Sequence, residues 1–167
     1  MNLDKETIIN KLSMIQHPEG GYYSQTYRSP KNINGSILGI NKSEYRPLST
    51  SIYFMLSDNE VSHFHKLESD EIWYYHGGET LIVAVIDKDG KLVKHKLGLN
   101  ISNGETPQLT VPAGSIFGSY IECGTGTSLV GCMVSFGFDF EDFKLYSRDE
   151  LLSIYPNYSE IITKLTF

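Results

Sequence analysis

His63 and His65 stand one residue apart in Ser62-His63-Phe64-His65, and Glu71 opens the run Glu71-Ile72-Trp73-Tyr74-Tyr75 that follows. In an extended strand alternate side chains leave by one face, so a strand over residues 62–66 sends both imidazoles the same way. Glu71, Trp73 and Tyr75 share a face of the next run by the same rule. Imidazoles and a carboxylate inside a small β-structure must each find a partner away from water, which marks a ligand pocket. Three chemistries fit the set. His63, His65 and Glu71 suit a divalent metal such as iron, manganese, nickel or zinc. One histidine suits a general base near neutral pH, oriented by the acid. In the plainest case the histidines only hydrogen-bond within the fold.

Other residues extend the candidate pocket. His17-Pro18-Glu19-Gly20-Gly21 places paired glycines after a carboxylate, so its amides either approach an anionic ligand or turn the chain into the next strand. The turn is the preferred reading, with Glu19 kept as a ligand-binding candidate. Arg28 ends that strand and suits a carboxylate or phosphate clamp, or an ion pair. Tyr53, Trp73, Tyr75 and Phe117 are candidate cavity walls or plain core. His76 and His95 have no partner pattern and are assigned to surface or turns. In Gly137-Phe138-Asp139-Phe140-Glu141-Asp142-Phe143, the phenylalanines staple the segment onto the β-structure with the acids facing water. Asp139 or Asp142 orienting a pocket histidine is the alternative.

The elements that must hold these groups are mostly strands. Apolar spacing over residues 3–14 predicts a helix stopped by Pro18 and Gly20-Gly21, and residues 22–28 read as a strand. Residues 29–47 mix Pro, Asn, Gly and Ser, as in a long loop or hairpin tip. Extended runs follow at 48–56, 62–66, 71–76, 80–86, 92–97, 106–111, 115–121 and 127–136, separated by turn signals such as Asp87-Lys88-Asp89-Gly90 and Asn103-Gly104. Many short strands with such punctuation imply a sandwich or barrel. Short helices are expected near residues 148–152 and 158–162, separated by Pro156.

A chain of 167 residues with 40% hydrophobic and 20% charged residues suits one globular domain over residues 1–167. The net charge of −6, without a Lys/Arg cluster, argues against a nucleic-acid partner. The polar amino terminus and the lack of a membrane-length apolar run point to a cytoplasmic protein. Cys123 and Cys132 lack metal or framework spacing and are expected as free thiols.

These segments together resemble the cupin superfamily, most closely its DUF985 or Cupin_5 branch. The matching stretches are HPEGGYYSQTYRS at 17–29, STSIYFML at 49–56, SHFHKLESDEIWYYHGG at 62–78, VPAGSIFGS at 111–119 and GCMVSFGFDFEDFKL at 131–145. The resemblance implies an all-β, double-stranded antiparallel β-helix (jelly-roll) barrel with short terminal helices, a small-molecule pocket inside, and commonly a homodimer. In metal-binding cupins the first motif supplies HxH and a glutamate, which His63, His65 and Glu71 answer. A second-motif histidine follows the PxG turn; Phe117 stands there and cannot ligate a metal. Metal-free epimerases of the superfamily use a histidine base and a tyrosine acid. By that analogy His63 or His65 takes a proton beside a carbonyl, and Tyr75 or Tyr53 returns one. The expected ligand is a sugar- or nucleotide-like anionic metabolite, bound with isomerisation, with metal-dependent chemistry, or without turnover.

Overall fold

The computed structural model describes residues 4–38 and 45–167. Helix α1 (Lys5–Leu12) begins where the Asp4 carboxylate accepts the Thr7 amide and ends at Ser13 in a left-handed conformation. The strands that follow are β1 (Ile15–Gln16), β2 (Tyr22–Arg28), β3 (Asn32–Asn34), β4 (Tyr45–Pro47), β5 (Thr50–Ser57), β6 (Val61–Leu67) and β7 (Asp70–Gly78). Then come β8 (Leu81–Ile86), β9 (Leu92–Leu97), β10 (Gln108–Val111), β11 (Ile116–Ile121), β12 (Thr127–Ser135) and β13 (Phe143–Leu145), followed by helices α2 (Arg148–Ile154) and α3 (Ser159–Lys164).

The described strands form two large antiparallel sheets. One runs β1-β2-β5-β12-β7-β10, the other β13-β6-β11-β8-β9, and β3 pairs with β4 as a separate ladder. Alternation gives each sheet an apolar inner face. Phe54, Leu56, Trp73, Val130 and Val134 of the first sheet pack with Leu67, Leu81, Val83, Phe117 and Ile121 of the second in one buried cluster. The core therefore lies between the sheets. Outside the second sheet, Leu151, Ile161, Ile162 and Leu165 of the tail pack on Phe64, Ala84, Ile86 and Ile116. Outside the first, Ile8 and Met14 cover Met55.

The strand expectations from residue 48 onward correspond to β5 through β12, with ends moved by one or two residues. The expected helix over 3–14 is α1, and Leu3 lies outside the described residues. The stretch 29–47 folds as the β3–β4 hairpin, with residues 39–44 outside the described set. Strand β13 was not anticipated. Phe143 and Leu145 join β6 opposite Leu67 and His65, so the aromatic segment is fastened by a backbone ladder as well as by its rings. Cys123 and Cys132 are free thiols. No described helix is long and apolar enough to cross a membrane.

Candidate functional site

A bulge in β6 decides which histidine enters the molecule. Against β11, His65 pairs with Phe117 and Ser62 pairs with Ser119, so His63 and Phe64 together oppose Gly118. Two residues facing one break the period-two alternation. Ser62, His65 and Leu67 therefore share the inner face, while Phe64 packs against the tail helices. A side chain on Gly118 would not fit, because its Cβ would stand 2.6 Å from the Ser62 carbonyl oxygen. The expected same-face pair is thus corrected: the His63 ring stacks on Phe167, centroids 3.7 Å apart. Its Nδ1 and its amide each lie 2.7 Å from the Glu19 carbonyl oxygen. His63 positions Glu19 and does not line the cavity.

The turn at 17–21 is accordingly both a turn and part of the site. Gly20 and Gly21 adopt positive φ, and a Cβ on Gly20 would lie 2.1 Å from the Val61 carbonyl oxygen. That close approach lays Glu19 against β6 and sends its carboxylate inward. A cavity of about 260 Å³ lies there, bordered by His17, Glu19, His65, Glu71, Trp73 and Cys132 among others. Glu19 Oε1 accepts the Ser62 hydroxyl at 2.8 Å. Glu19 Oε2 lies 3.2 Å from His17 Nδ1 and 3.3 Å from His65 Nε2.

The electrostatics of this chain are coupled. Burial opposes the Glu19 charge, but His65, His17 and the Ser62 hydroxyl outweigh it and hold the carboxyl below its ordinary value. Burial also dominates at His65 and lowers it, against the pull of Glu19 and of the His63 carbonyl. His65 Nδ1 lies 2.7 Å from that carbonyl oxygen and so donates to it. Nε2 is left as the nitrogen facing Glu19, and the two groups titrate as a pair.

Glu71 behaves in the opposite way. Burial first, and the charge of Glu19 second, push it up to about 8; the nearby Trp73 indole and Cys132 thiol offset only part of this. At neutral pH it is mainly an uncharged acid. Its Oε2 and the Trp73 Nε1 are buried without a hydrogen-bond partner. The Cys132 thiol is itself pushed up by burial and by Glu71, so it is not a nucleophile at neutral pH.

A second bulge brings Arg28 to the cavity. Gln25 pairs with Ile52 and Arg28 with Thr50, and the register shifts between them around Thr26. Gln25 and Arg28 consequently both border the cavity, together with Thr50 and Ile52. Arg28 donates to the Phe138 carbonyl at 3.4 Å. Phe138, Asp139 and Phe140 complete the mouth. Phe140 stacks near His17, centroids 6.3 Å apart, and Phe143 approaches both His17 and His65 edge-on or tilted. Asp139 caps the turn at the Glu141 amide and orients no histidine. The acids of this segment do not all face water: Asp142 is buried and holds Arg46 through Nε at 2.7 Å and Nη2 at 3.1 Å. Arg46 also reaches Glu141 at 3.0 Å.

The remaining candidates separate. Trp73 and Glu71 line the cavity with Glu19, His65 and Arg28. Phe117 is buried behind His65, ring centroids 4.1 Å apart. Tyr75 turns its hydroxyl to the Gly78 carbonyl oxygen. Tyr53 packs outside the sheet beside Met55 and His76. Neither tyrosine borders the cavity. Among the described residues no group of three His, Cys, Asp or Glu side chains is arranged to hold a metal ion. With His63 turned outward and Phe117 beside His65, the donor set does not fit a metal, and the triad His63, His65 and Glu71 is not assembled.

Contributors missed from sequence include His17, Ser62 and Cys132 around the cavity and Arg46, which holds Asp142 in the aromatic segment. His17 carried a signal, since it stands two residues before the carboxylate it contacts. Cys132 and Arg46 carried none, because their partners are distant in the chain.

The family model Cupin_5, described as cupin superfamily (DUF985), matches residues 6–146. An uncharacterized protein of Saccharomyces cerevisiae is 35% identical over an alignment of 158 positions that covers 87% of this chain and 77% of that protein. A solved structure from Shewanella oneidensis has 44% identity and a TM-score of 0.89, covering 100% of this chain and 98% of the other. A hypothetical protein from Leishmania major has 34% identity and a TM-score of 0.89, with 99% of each chain covered. The sequence match over most of the chain and the shared β-architecture lead to one conclusion: the protein belongs to the Cupin_5 (DUF985) family of the cupin superfamily.

Proposed function

We propose that this protein is a small-molecule cupin that moves a proton on a compact polar metabolite, by isomerisation or epimerisation, without a metal. The carrying observation is the Glu19 carboxylate held between His17 and His65 on a cavity that also contains Glu71, whose Oε2 is buried without a hydrogen-bond partner. The Glu19–His65 pair acts as one base and takes a proton from a substrate carbon beside a carbonyl. Glu71, protonated at neutral pH, serves the carbonyl oxygen as the acid. His17 also borders an outer cleft with Gly20, Gly21, Glu60 and Phe167, which gives the pair a route for exchange with water.

This assignment replaces the tyrosine acid of the epimerase analogy with a carboxylic acid. The volume of about 260 Å³ lies just below the usual range of about 300–1,000 Å³ for ligand pockets and supports a sugar-sized ligand over an entire nucleotide. We further propose that the two sheets wind as a jelly-roll barrel and that the working unit is a homodimer in the cytoplasm. Incubation with a panel of keto-sugars and their phosphates in deuterated water tests the function. Solvent deuterium enters the substrate carbon with the native protein and not with Glu19→Gln. Failure of uptake across the panel rejects proton transfer.

A further inference from the structure

The cavity is polar at both ends, and its arginine, Arg28, lies at the mouth. At the inner end Glu19 is the charged group, its Oε1 accepting the Ser62 hydroxyl and its Oε2 lying beside the His17 and His65 rings. Glu71 lies beside it without any hydrogen-bond partner from the protein for its Oε2, although it is only 7% exposed. A buried polar atom left unpaired carries a cost that a bound ligand relieves. The ligand group meeting it must accept a hydrogen bond and carry no negative charge, because a second anion beside Glu19 would be repelled in a low-dielectric site.

The mouth carries the cavity's guanidinium, Arg28, together with Asp139, whose carboxylate accepts the Glu141 amide. The bulge at Thr26 brings Arg28 onto the cavity face, where among the described residues it donates one long hydrogen bond, to the neutral Phe138 carbonyl. The guanidinium retains donors in a planar fork suited to a carboxylate or phosphate. Between the ends the walls are apolar: Ile52, Phe54, Leu67, Val134 and Phe138. Such a surface fits a carbon chain and favours no further charge.

We propose that the ligand is a short α-hydroxy carbonyl compound with a terminal anionic group, its neutral carbonyl end inward at Glu71 and its anion at Arg28. This deepens the proton-transfer reading and rests on it. In the reaction the Glu19–His65 pair takes the proton from the hydroxyl-bearing carbon while Glu71 gives one to the carbonyl oxygen, forming an enediol. Return of the first proton to the neighbouring carbon, and loss of the new carbonyl's hydroxyl proton to Glu71, completes an isomerisation. No oxidant, reductant or third reactant is consumed.

The test uses three small probes measured by calorimetry and ligand-observed NMR on the full chain. Dihydroxyacetone phosphate carries both recognised groups, glycerol 3-phosphate lacks the carbonyl, and hydroxyacetone lacks the anion. Dihydroxyacetone phosphate should bind about tenfold or more tightly than either control, because each lost contact is a charge-assisted or buried hydrogen bond. Arg28→Met should abolish its advantage over hydroxyacetone, with the urea unfolding midpoint read by Trp73 fluorescence reporting that the variant is folded. Equal binding of the two phosphates overturns carbonyl recognition. An unaltered Arg28→Met profile overturns the rim assignment, and absence of binding by all three overturns the ligand class. Deuterium uptake into neutral keto-sugars alone would retain the proton-transfer function and reject this inference; tight binding of dihydroxyacetone phosphate without uptake would retain only the ligand orientation and overturn the reaction.

Discussion

Replacing Glu71 with glutamine should remove a specific pH dependence of stability. Glu71 rises from its ordinary 4.5 to about 8 in the folded protein, burial being the leading cause. Between those values the unfolded chain has this group ionised while the folded protein keeps its proton. The folded state then binds more protons, so stability falls as pH rises from about 4.5 to about 8. The contribution is fully present below the lower value and lost above the upper. Each pKa unit is worth about 1.4 kcal/mol, so the whole window amounts to about 5 kcal/mol. That figure is an upper bound, since water admitted to the cavity softens the burial penalty. Glutamine has nearly the same shape and no charge to lose, so Glu71→Gln lacks this slope. The chain has a single tryptophan, Trp73, which lines the same cavity and reports urea unfolding by its fluorescence. The native-minus-variant difference in unfolding free energy should fall by about 1 kcal/mol or more per pH unit between pH 5 and 8. Parallel curves, or a difference that grows with pH, would refute the assignment of Glu71 as a buried neutral acid.

Other outcomes follow from the packing. Arg46→Ala strands Asp142 in a buried position and should destabilise the fold by about 3–5 kcal/mol in urea unfolding. Gly118→Ala forces a Cβ against the backbone of the β6 bulge and should cost about 1–3 kcal/mol, with the cross-peaks of Ser62 and His65 shifting most in NMR spectra. In the native protein a disulfide reagent should titrate one thiol per chain, because Cys123 is exposed and Cys132 is buried with its thiol pushed up. The second thiol should react only on unfolding.

The strand map was legible because turn residues and alternation are local signals, and β5 through β12 follow them closely. The membership of the site was only half legible. Glu19, His65, Glu71, Trp73 and Arg28 were named and do border the cavity. Their reasons were partly different, since simple alternation would send Arg28 outward, and the register shift at Thr26 turns it in. His63 was misplaced for the converse reason, a bulge at Gly118 that no residue of β6 announces. Cys132 and Arg46 depend on partners far away in the chain: Glu71 across the β12–β7 ladder and Asp142 beyond the last long strand. A period-two rule carries no information about either pairing.

The extra residue in β6 decides which donors this strand turns toward the interior. A strict strand through His63 and His65 would offer two nitrogens to a cation; this one offers Ser62 and His65, three apart, to the two oxygens of one carboxylate. Chelator and carboxylate clamp are thus separated by a single step in backbone register, with every amino-acid type preserved. In this chain the step is admitted by Gly118 on the neighbouring strand, where any side chain would collide with the bulged backbone.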